Sequence, residues 1–409
     1  MPAIGNEPVL NTIELAAQME RVGEHLQREA IAARARLQEV LSVFGRAVAD
    51  PSPWQCRESS DREQLWFHPA LPQAPLGDCP AVAPLDIPHA IVATDGSQIT
   101  PSHHEVAYCS LVNVGRVAIE YGGKRLPLLD STPQVYYRSE ELNRGRPPGT
   151  SIDTMLALRR TQAELQELTQ LALDWSRESV PAIALVDGAL IHWGLDALPR
   201  DWQPQWLVPL LAQFDRLQQA RIPLAGYISA SRSSETIAYL RLGLCPFKTC
   251  ECSIHCGDRQ LYAAPCTPYS VSKEGPRSLG DVALWSARLA PYQRSPIWRS
   301  QAELLDLYGA HHHIHFCYLH VGSEVARVEF PAWVATDAAL LDRALGAILT
   351  QVQRGMGYPV ALAEAHHLAV VRGSERQFFF ATLQREMQRL GLQEPSVSLK
   401  EANKRQGVA

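Results

Sequence analysis

Two apolar stretches, each running directly into an Asp-Gly pair, constrain the fold of this chain more than any other feature. Residues 91–95 read IVATD and end at Asp95, and residues 183–187 read IALVD and end at Asp187. Short apolar runs of this kind predict buried strands, and Asp-Gly is typical of the turn that follows one. Because buried strands of α/β sheets present functional groups at their carboxyl ends, we expect the two carboxylates to meet, although a single Asp-Gly more often forms only a turn.

The order of predicted elements indicates the α/β class. Apolar residues at helical spacing predict one or two amphipathic helices over residues 11–49, and residues 50–89 have the composition of an irregular connector. Residues 106–123 are expected to form a hairpin of two strands that turns at Asn113–Gly115. The later elements are predicted as a helix at 153–175, the strand ending at Asp187, a helix at 206–220, a strand at 223–229, a hairpin at 313–330, and helices at 337–354, 359–371 and 375–390.

This order, with hairpins first and helices and strands in alternation afterwards, predicts a mixed β-sheet flanked by helices. An RNase H-like sheet is one arrangement with such an order. We expect two domains: an N-terminal helical arm with its connector over residues 1–89, and a main domain over residues 90–409.

Composition narrows the class of protein. The chain has 409 residues, of which 46% are hydrophobic and 20% are charged, and its net charge is -5. This balance argues against a surface covered with phosphate-binding charge, but it allows a local basic groove. The sequence has no apolar run of about 20 residues and no basic segment followed by an apolar one at its start, so we expect a cytoplasmic protein without a membrane partner. Nine cysteines, an odd number, argue against a disulfide framework.

A third acid and a histidine could join the two aspartates. Glu164 lies on the predicted helix directly before the second Asp-Gly strand, and Glu120, at the end of the predicted hairpin, is the alternative. His366 lies on a late helix that follows a Gly-Tyr-Pro segment. Carboxylates with one imidazole suit Mg²⁺ or Mn²⁺, and Mn²⁺ accepts nitrogen ligands more readily. Two such ions about 3.5–4 Å apart would serve the hydrolysis of a phosphodiester.

The chain resembles the NurA nuclease family through five short motifs that occur in the order of that family. They are DGS at 95–97, Arg160 with Glu164, VDG at 186–188, RVEFP at 327–331, and YP at 358–359 followed by AH at 365–366. The resemblance implies an RNase H-like fold and a Mn²⁺-dependent nuclease that acts on single-stranded DNA and DNA ends. It also implies a homodimer that works with the hexameric DNA translocase HerA in end resection at double-strand breaks. The family's metal-site positions correspond to Asp95, Glu164, Asp187 and His366.

One departure from the family pattern is Arg232, which follows the strand predicted at 223–229 where family members often carry a lysine. Arginine can hold a scissile phosphate in a bidentate manner, but it cannot transfer a proton. We therefore expect Arg232 either to hold the phosphate or to be a surface residue of a serine-rich turn.

A second unusual segment is an insertion at about 241–270, which contains Cys245, Cys250, Cys252 and Cys256. Four cysteines in twelve residues could hold Zn²⁺ or an iron–sulfur cluster. Their spacing is not that of paired C-x-x-C knuckles, so the alternative is a group of reduced, partly buried thiols.

The function predicted from these residues is that of a metal-dependent deoxyribonuclease. The chain has neither a G-x-x-x-x-G-K-[ST] loop nor a G-x-S-x-G motif, which argues against ATP hydrolysis and against a serine nucleophile. Two alternatives stay open: a catalytically inactive nucleic-acid-binding or adaptor protein on the same fold, and a nuclease specific for RNA or for a particular nucleic-acid structure.

Overall fold

The computed structural model describes residues 11–58, 62–101, 109–138, 140–141, 144–177, 180–256, 264–269 and 279–392. Two compact units are present. The first contains residues 1–71, 75–77 and 232–288, and the second contains residues 72–74, 78–231 and 289–409. The division into domains at residue 89 stays a prediction.

Nine strands within the described ranges form a single sheet, in the order β1-β7-β8-β9-β6-β5-β2-β3-β4. Their bounds are β1 Leu71–Pro72, β2 His89–Ile99, β3 Ser110–Tyr121, β4 Leu128–Tyr136, β5 Ala182–Asp187, β6 Leu224–Ile228, β7 Trp298–Arg299, β8 Ile314–His320 and β9 Val325–Pro331. The neighbours β2, β5 and β6 run parallel, and the other pairs in the second unit are antiparallel. The sheet is therefore mixed, as predicted.

The helices of the described residues have the bounds α1 Thr12–Ala49, α2 Ser52–Gln55, α3 Ile152–Trp175, α4 Gln203–Gln219, α5 Glu235–Leu244, α6 Cys252–His255, α7 Asp281–Arg288, α8 Gly309–His312, α9 Ala332–Ala335, α10 Ala338–Arg354, α11 Val360–Ala369 and α12 Gly373–Arg389. Short 3₁₀ helices cover Arg62–Gln64, Trp193–Ala197 and Glu303–Leu307. Most of the longer helices coincide with predicted ones, and the α/β prediction with an N-terminal helical arm is confirmed. No helix of the described ranges combines the length and apolar character that crossing a bilayer requires.

In the first unit, α1 begins where the Asn11 side chain accepts a hydrogen bond from the Glu14 backbone N–H, at 3.1 Å. Such an N-cap satisfies a helix-end donor that has no partner within the helix. Near its C-terminal end, α1 buries Val40, Val43 and Phe44, whereas its first turns leave an apolar face exposed. The buried end gives the unit part of its core.

In the second unit, α3 and α11 pack on opposite faces of β2. The Thr94 hydroxyl donates to the Glu164 carbonyl of α3 at 2.9 Å, whereas the Ser97 hydroxyl donates to the Ala369 carbonyl of α11. Side chains alternate between the faces of a strand, so even-numbered residues here point to α3 and odd-numbered ones to α11. The centre of the sheet, including residues 91–93 and 183–185, is fully buried between these layers.

The hairpin predicted to turn at Asn113–Gly115 is wrong, because these residues lie within β3, one continuous strand paired with β2. Asn and Gly favour turns, but here they make contact with α11. The Asn113 side chain donates to the carbonyls of Leu368 and Ala369, at 3.1 and 2.9 Å. Residues 106–108 of the predicted hairpin lie outside the described residues.

Candidate metal centre

Asp95 and Asp187 lie side by side on neighbouring parallel strands. The last residues paired between β2 and β5 are Thr94 and Val186, so each aspartate is the next residue along its strand. Strand β5 ends at Asp187, whereas β2 continues to Ile99 in its pairing with β3. The two carboxylates therefore meet where the parallel pairing stops, which is the arrangement expected from the two Asp-Gly stretches.

His366 joins them from α11. Its Nδ1 lies 2.7 Å from Oδ2 of Asp95, while its ring is 58% exposed. Two features of β3 hold α11 at this distance. The Asn113 amide binds the last carbonyls of the helix, and a Cβ atom on Gly115 would lie only 2.3 Å from the Ala365 carbonyl oxygen. A side chain at position 115 would push the helix away from the sheet.

Glu164 reaches the aspartates from α3 because Gly96 leaves room for it. A Cβ atom on Gly96 would lie 2.2 Å from Oε1 of Glu164 and 2.7 Å from Cγ of Arg160. The Glu164 carboxylate also pairs with Arg160 Nε at 3.2 Å, one helical turn before it. Burial raises the pKa of Glu164 to about 7, Arg160 opposes this shift, and Asp95 and Asp187 add to it. The site therefore holds three carboxylates with little positive charge to balance them.

Asp187 is held by Tyr358, a residue of the segment that leads into α11. Burial raises the pKa of Asp187, a hydrogen bond from the Tyr358 hydroxyl lowers it, the Asp95 carboxylate raises it, and His366 lowers it. The following residue, Gly188, has φ of +121°, a conformation that residues with a side chain rarely adopt. The Asp-Gly pair thus serves both as ligand candidate and as turn.

A buried ion pair fixes the loop that follows Asp187. The Glu329 carboxylate on β9 accepts a hydrogen bond from the Leu190 backbone N–H and another from Arg327 Nε, each at 2.8 Å. The Arg327 guanidinium stacks on the Phe316 ring, 3.6 Å from its centroid. Arg327 and Glu329, both within the 327–331 motif, therefore pair with each other on one face of β9.

The structure brings four of the predicted site residues together, namely Asp95, Glu164, Asp187 and His366. Their roles in metal binding and catalysis stay predictions. Glu120, the alternative third acid, lies at the other end of β3, where it pairs with Arg177. That position is five residues from Gly115, the partner of Asp95, or about 16 Å along a strand. Of the two candidates, Glu164 and not Glu120 therefore lies near the two aspartates.

Arg232 lies in the loop between β6 and α5, in the first unit, and its proposed hold on a phosphate stays a prediction. Cys245, Cys250, Cys252 and Cys256 line one small cavity of that unit together with Cys266. Within the described ranges, no three His, Cys, Asp or Glu side chains form a ready metal-binding group. The prediction of Zn²⁺ or an iron–sulfur cluster at the cysteines therefore gains no support.

The side chains of Asp95, Glu164, Asp187 and His366 likewise do not form a closed ligand cage, because each contacts a partner in the protein. His366 contacts Asp95, Glu164 contacts Arg160, and Asp187 contacts Tyr358. Their chemistry nevertheless fits a hard divalent cation. Oxygen donors with one imidazole are the ligand types that Mn²⁺ accepts. A cation among them would also offset the burial and the mutual repulsion of these carboxylates, which raise the pKa values of Glu164 and Asp187.

Sequence reasoning missed several residues that position the site. Gly96 and Gly115 lack a side chain because helices approach them, and Asn113 binds the end of α11. Tyr358 and the Tyr308 hydroxyl hold the Asp187 carboxylate and the loop after it. The Tyr-Pro and Asn-x-Gly patterns were visible in the sequence, but their partners lie more than a hundred residues away.

These features define a mixed α/β protein with a carboxylate-rich cleft at the centre of its sheet. The profile of the NurA domain family matches residues 89–371, and the chain belongs to this family.

The crystal structure of the NurA nuclease from Sulfolobus solfataricus shares the fold, with a TM-score of 0.53 and 10% sequence identity over 92% of this chain and 97% of that chain. A structure of NurA with manganese matches with a TM-score of 0.37 and 12% identity over 74% of this chain and 91% of that one. A structure of NurA bound to dAMP and manganese matches with a TM-score of 0.36 and 12% identity over 72% of this chain and 88% of that one. A comparison with curated proteins gave no significant match.

Proposed function

We propose that this protein is a Mn²⁺-dependent nuclease that hydrolyses phosphodiester bonds of single-stranded DNA and of DNA ends. The observation that carries the proposal is that Glu164 and His366 each approach the Asp95 and Asp187 carboxylates in a NurA-family fold. Three clustered carboxylates with one paired guanidinium carry an excess of negative charge, which a bound divalent cation would compensate.

In this proposal, the cation is held by Asp95, Glu164, Asp187 and His366. A second ion at the same site stays a prediction. A cation held there would supply the means to activate a water molecule and to stabilise the leaving oxygen of the phosphodiester. The protein's own residues keep the donors in place. Tyr358 orients Asp187, and Arg160 on α3 orients Glu164 and supplies the one guanidinium paired with these acids within the described residues. Arg232 is proposed to hold the phosphate, which an arginine can do without moving a proton.

A cleavage assay tests the proposal. Labelled single-stranded DNA is incubated with Mn²⁺ or with chelator, using wild type, Asp95→Ala, Asp187→Ala and the control Asp201→Ala, which changes an exposed aspartate outside the cleft. We expect cleavage by wild type and control only, and only with Mn²⁺. Thermal unfolding should show that both site variants stay folded, because removing one carboxylate relieves repulsion. Mn²⁺-dependent activity at the wild-type level in either site variant would overturn the mechanism.

The same assay separates the alternatives. Wild-type protein that binds DNA but cleaves neither DNA nor RNA would be a binding or adaptor protein on this fold. Faster cleavage of RNA of the same sequence, in parallel reactions, would identify an RNA-directed nuclease. A preference for one end or junction structure among matched DNA substrates would identify a structure-specific one.

We also propose that the protein is a cytoplasmic homodimer that acts with a HerA-type translocase. The partner follows from the family resemblance, and the location is the one expected from the sequence. The dimer is supported by α1, where Leu15, Met19, Val22 and Leu26 are exposed on one helix face at spacings of four, three and four residues. Such a stripe is suited to pairing of helices. Sedimentation velocity should show a dimer for wild type and for the control Gln27→Glu, and a monomer for Leu26→Glu. A wild-type monomer would contradict the proposal.

A further inference from the structure

One exposed aromatic ring in the carboxylate cleft has no role in the metal centre. Trp193 lines the same cleft as Asp95, Glu164 and Asp187, and its side chain is 49% exposed. The cleft has a volume of about 240 Å³, just below the range of about 300–1,000 Å³ that is usual for sites that bind a drug-sized ligand. We propose that Trp193 stacks on one base of single-stranded DNA next to the reacting phosphate, an inference that rests on the proposed nuclease function.

The backbone before Trp193 is held by hydrogen bonds. The Tyr308 hydroxyl donates to the Leu190 carbonyl at 3.1 Å and accepts a hydrogen bond from the His192 backbone N–H at 2.8 Å. The backbone N–H of Trp193 donates to the Ile191 carbonyl at 2.9 Å, where the 3₁₀ helix begins. A ring on a fixed backbone loses little conformational entropy when a ligand binds to it. The site is therefore preorganised.

The chemistry of the cleft changes from one side to the other. Beside the acids, the Arg160 guanidinium supplies positive charge for a phosphate. The three residues before Trp193 that line the cleft are Leu190, Ile191 and His192. Burial lowers the pKa of His192 to about 4, so this ring is neutral at pH 7. A wall without positive charge favours the face of a base over a phosphate.

Stacking on Trp193 also selects the strand state of the substrate. Every base has a π-face on which an indole can stack, but inside a duplex both faces are covered by neighbouring bases. A base can reach Trp193 only from a single strand or a frayed end. The inference therefore assigns part of the single-strand preference to this one residue.

Binding assays without metal test the inference independently of catalysis. Fluorescence anisotropy in chelator measures the affinity of wild type, Trp193→Ala, Trp193→Phe and Phe378→Ala for a labelled oligothymidylate and for an oligonucleotide of the same length made of abasic sites. Phe378 is the control, an exposed ring on α12 outside the cleft. We expect Trp193→Ala to weaken binding of the oligothymidylate about tenfold and to leave the abasic strand unaffected. Trp193→Phe should retain most of the affinity.

Cleavage with Mn²⁺ provides a second readout. We expect Trp193→Ala to raise KM for single-stranded DNA about tenfold, with a smaller change in kcat. Wild-type cleavage with unchanged affinity and KM in Trp193→Ala would overturn this inference alone. A selective loss of affinity in Trp193→Ala without any wild-type cleavage would overturn the nuclease proposal alone, and wild type that neither binds nor cleaves would overturn both. If Trp193→Ala changes the oligomeric state and loses affinity for both strands equally, Trp193 belongs to a contact between copies and the inference is wrong.

Discussion

Gly96→Ala should displace Glu164 without disrupting the sheet. Gly96 has no positive φ, so the backbone of β2 accepts an alanine at this position. The obstacle is the helix above it. The added Cβ would lie 2.2 Å from Oε1 of Glu164, whereas Cβ contacts below 3.0 Å essentially do not occur. The Glu164 carboxylate must therefore move by nearly 1 Å, away from the two aspartates.

Two magnitudes follow from this displacement. Misplacing a catalytic group by about 1 Å can reduce the rate by about 100-fold. Overpacking costs about 1–3 kcal/mol, and alanine regains roughly 0.5–1 kcal/mol over glycine in a strand. The free energy of unfolding should thus fall by only about 1–2 kcal/mol, while activity falls by about two orders of magnitude.

The assay compares Mn²⁺-dependent cleavage and urea unfolding of wild type, Gly96→Ala and Gly373→Ala. The last variant is a control, because a Cβ atom on Gly373 would meet no atom within 4 Å. Combining Gly96→Ala with Glu164→Asp shortens the side chain that is in the way and should restore part of the stability. Wild-type activity in Gly96→Ala would refute the assignment of Glu164 to the site.

Two further substitutions test how the fold holds the centre, and a third tests the pH dependence of stability. Asn113→Ala removes both hydrogen bonds to the end of α11, and urea unfolding should show a loss of about 1–3 kcal/mol together with weaker Mn²⁺ binding by calorimetry. Glu329→Gln leaves the Arg327 guanidinium buried without its ion-pair partner, so stability should fall by about 3 kcal/mol; an unchanged urea midpoint would contradict this. Burial lowers the pKa of His313 to about 4, so the unfolded state binds a proton first as the pH falls below 6.5. Wild type should therefore lose up to about 3 kcal/mol between pH 6.5 and 4 that His313→Gln does not lose, and equal pH slopes would contradict that account.

The sequence was sufficient to locate the two aspartates, because the signal is local. An apolar run followed by Asp-Gly describes both the buried strand and the point at which it reaches the edge of parallel pairing. The long helices were predictable for the same reason, since their apolar residues repeat every 3.6 positions. The α/β class of the fold follows from the order in which these local strand and helix patterns occur along the chain.

The hairpin prediction failed because its evidence was local and the cause was not. Asn113 and Gly115 have the residue types of a turn, but a helix about 250 residues further along requires them to be an amide donor and a missing side chain. The choice between Glu164 and Glu120 also depended on contacts between distant residues. The sequence favoured Glu164, and the structure supports it because Glu120 lies at the other end of β3 and the missing side chain of Gly96 leaves room for Glu164.

The account depends most directly on where Mn²⁺ binds. Crystals grown with Mn²⁺ and measured at a wavelength where manganese scatters anomalously would show the ion's position without reference to activity. We predict an anomalous peak coordinated directly by Asp95 and Asp187, with Glu164 and His366 in contact with the same ion or with a second one. Peaks only elsewhere in the protein, with the two aspartates still bound to His366 and Tyr358, would contradict the account.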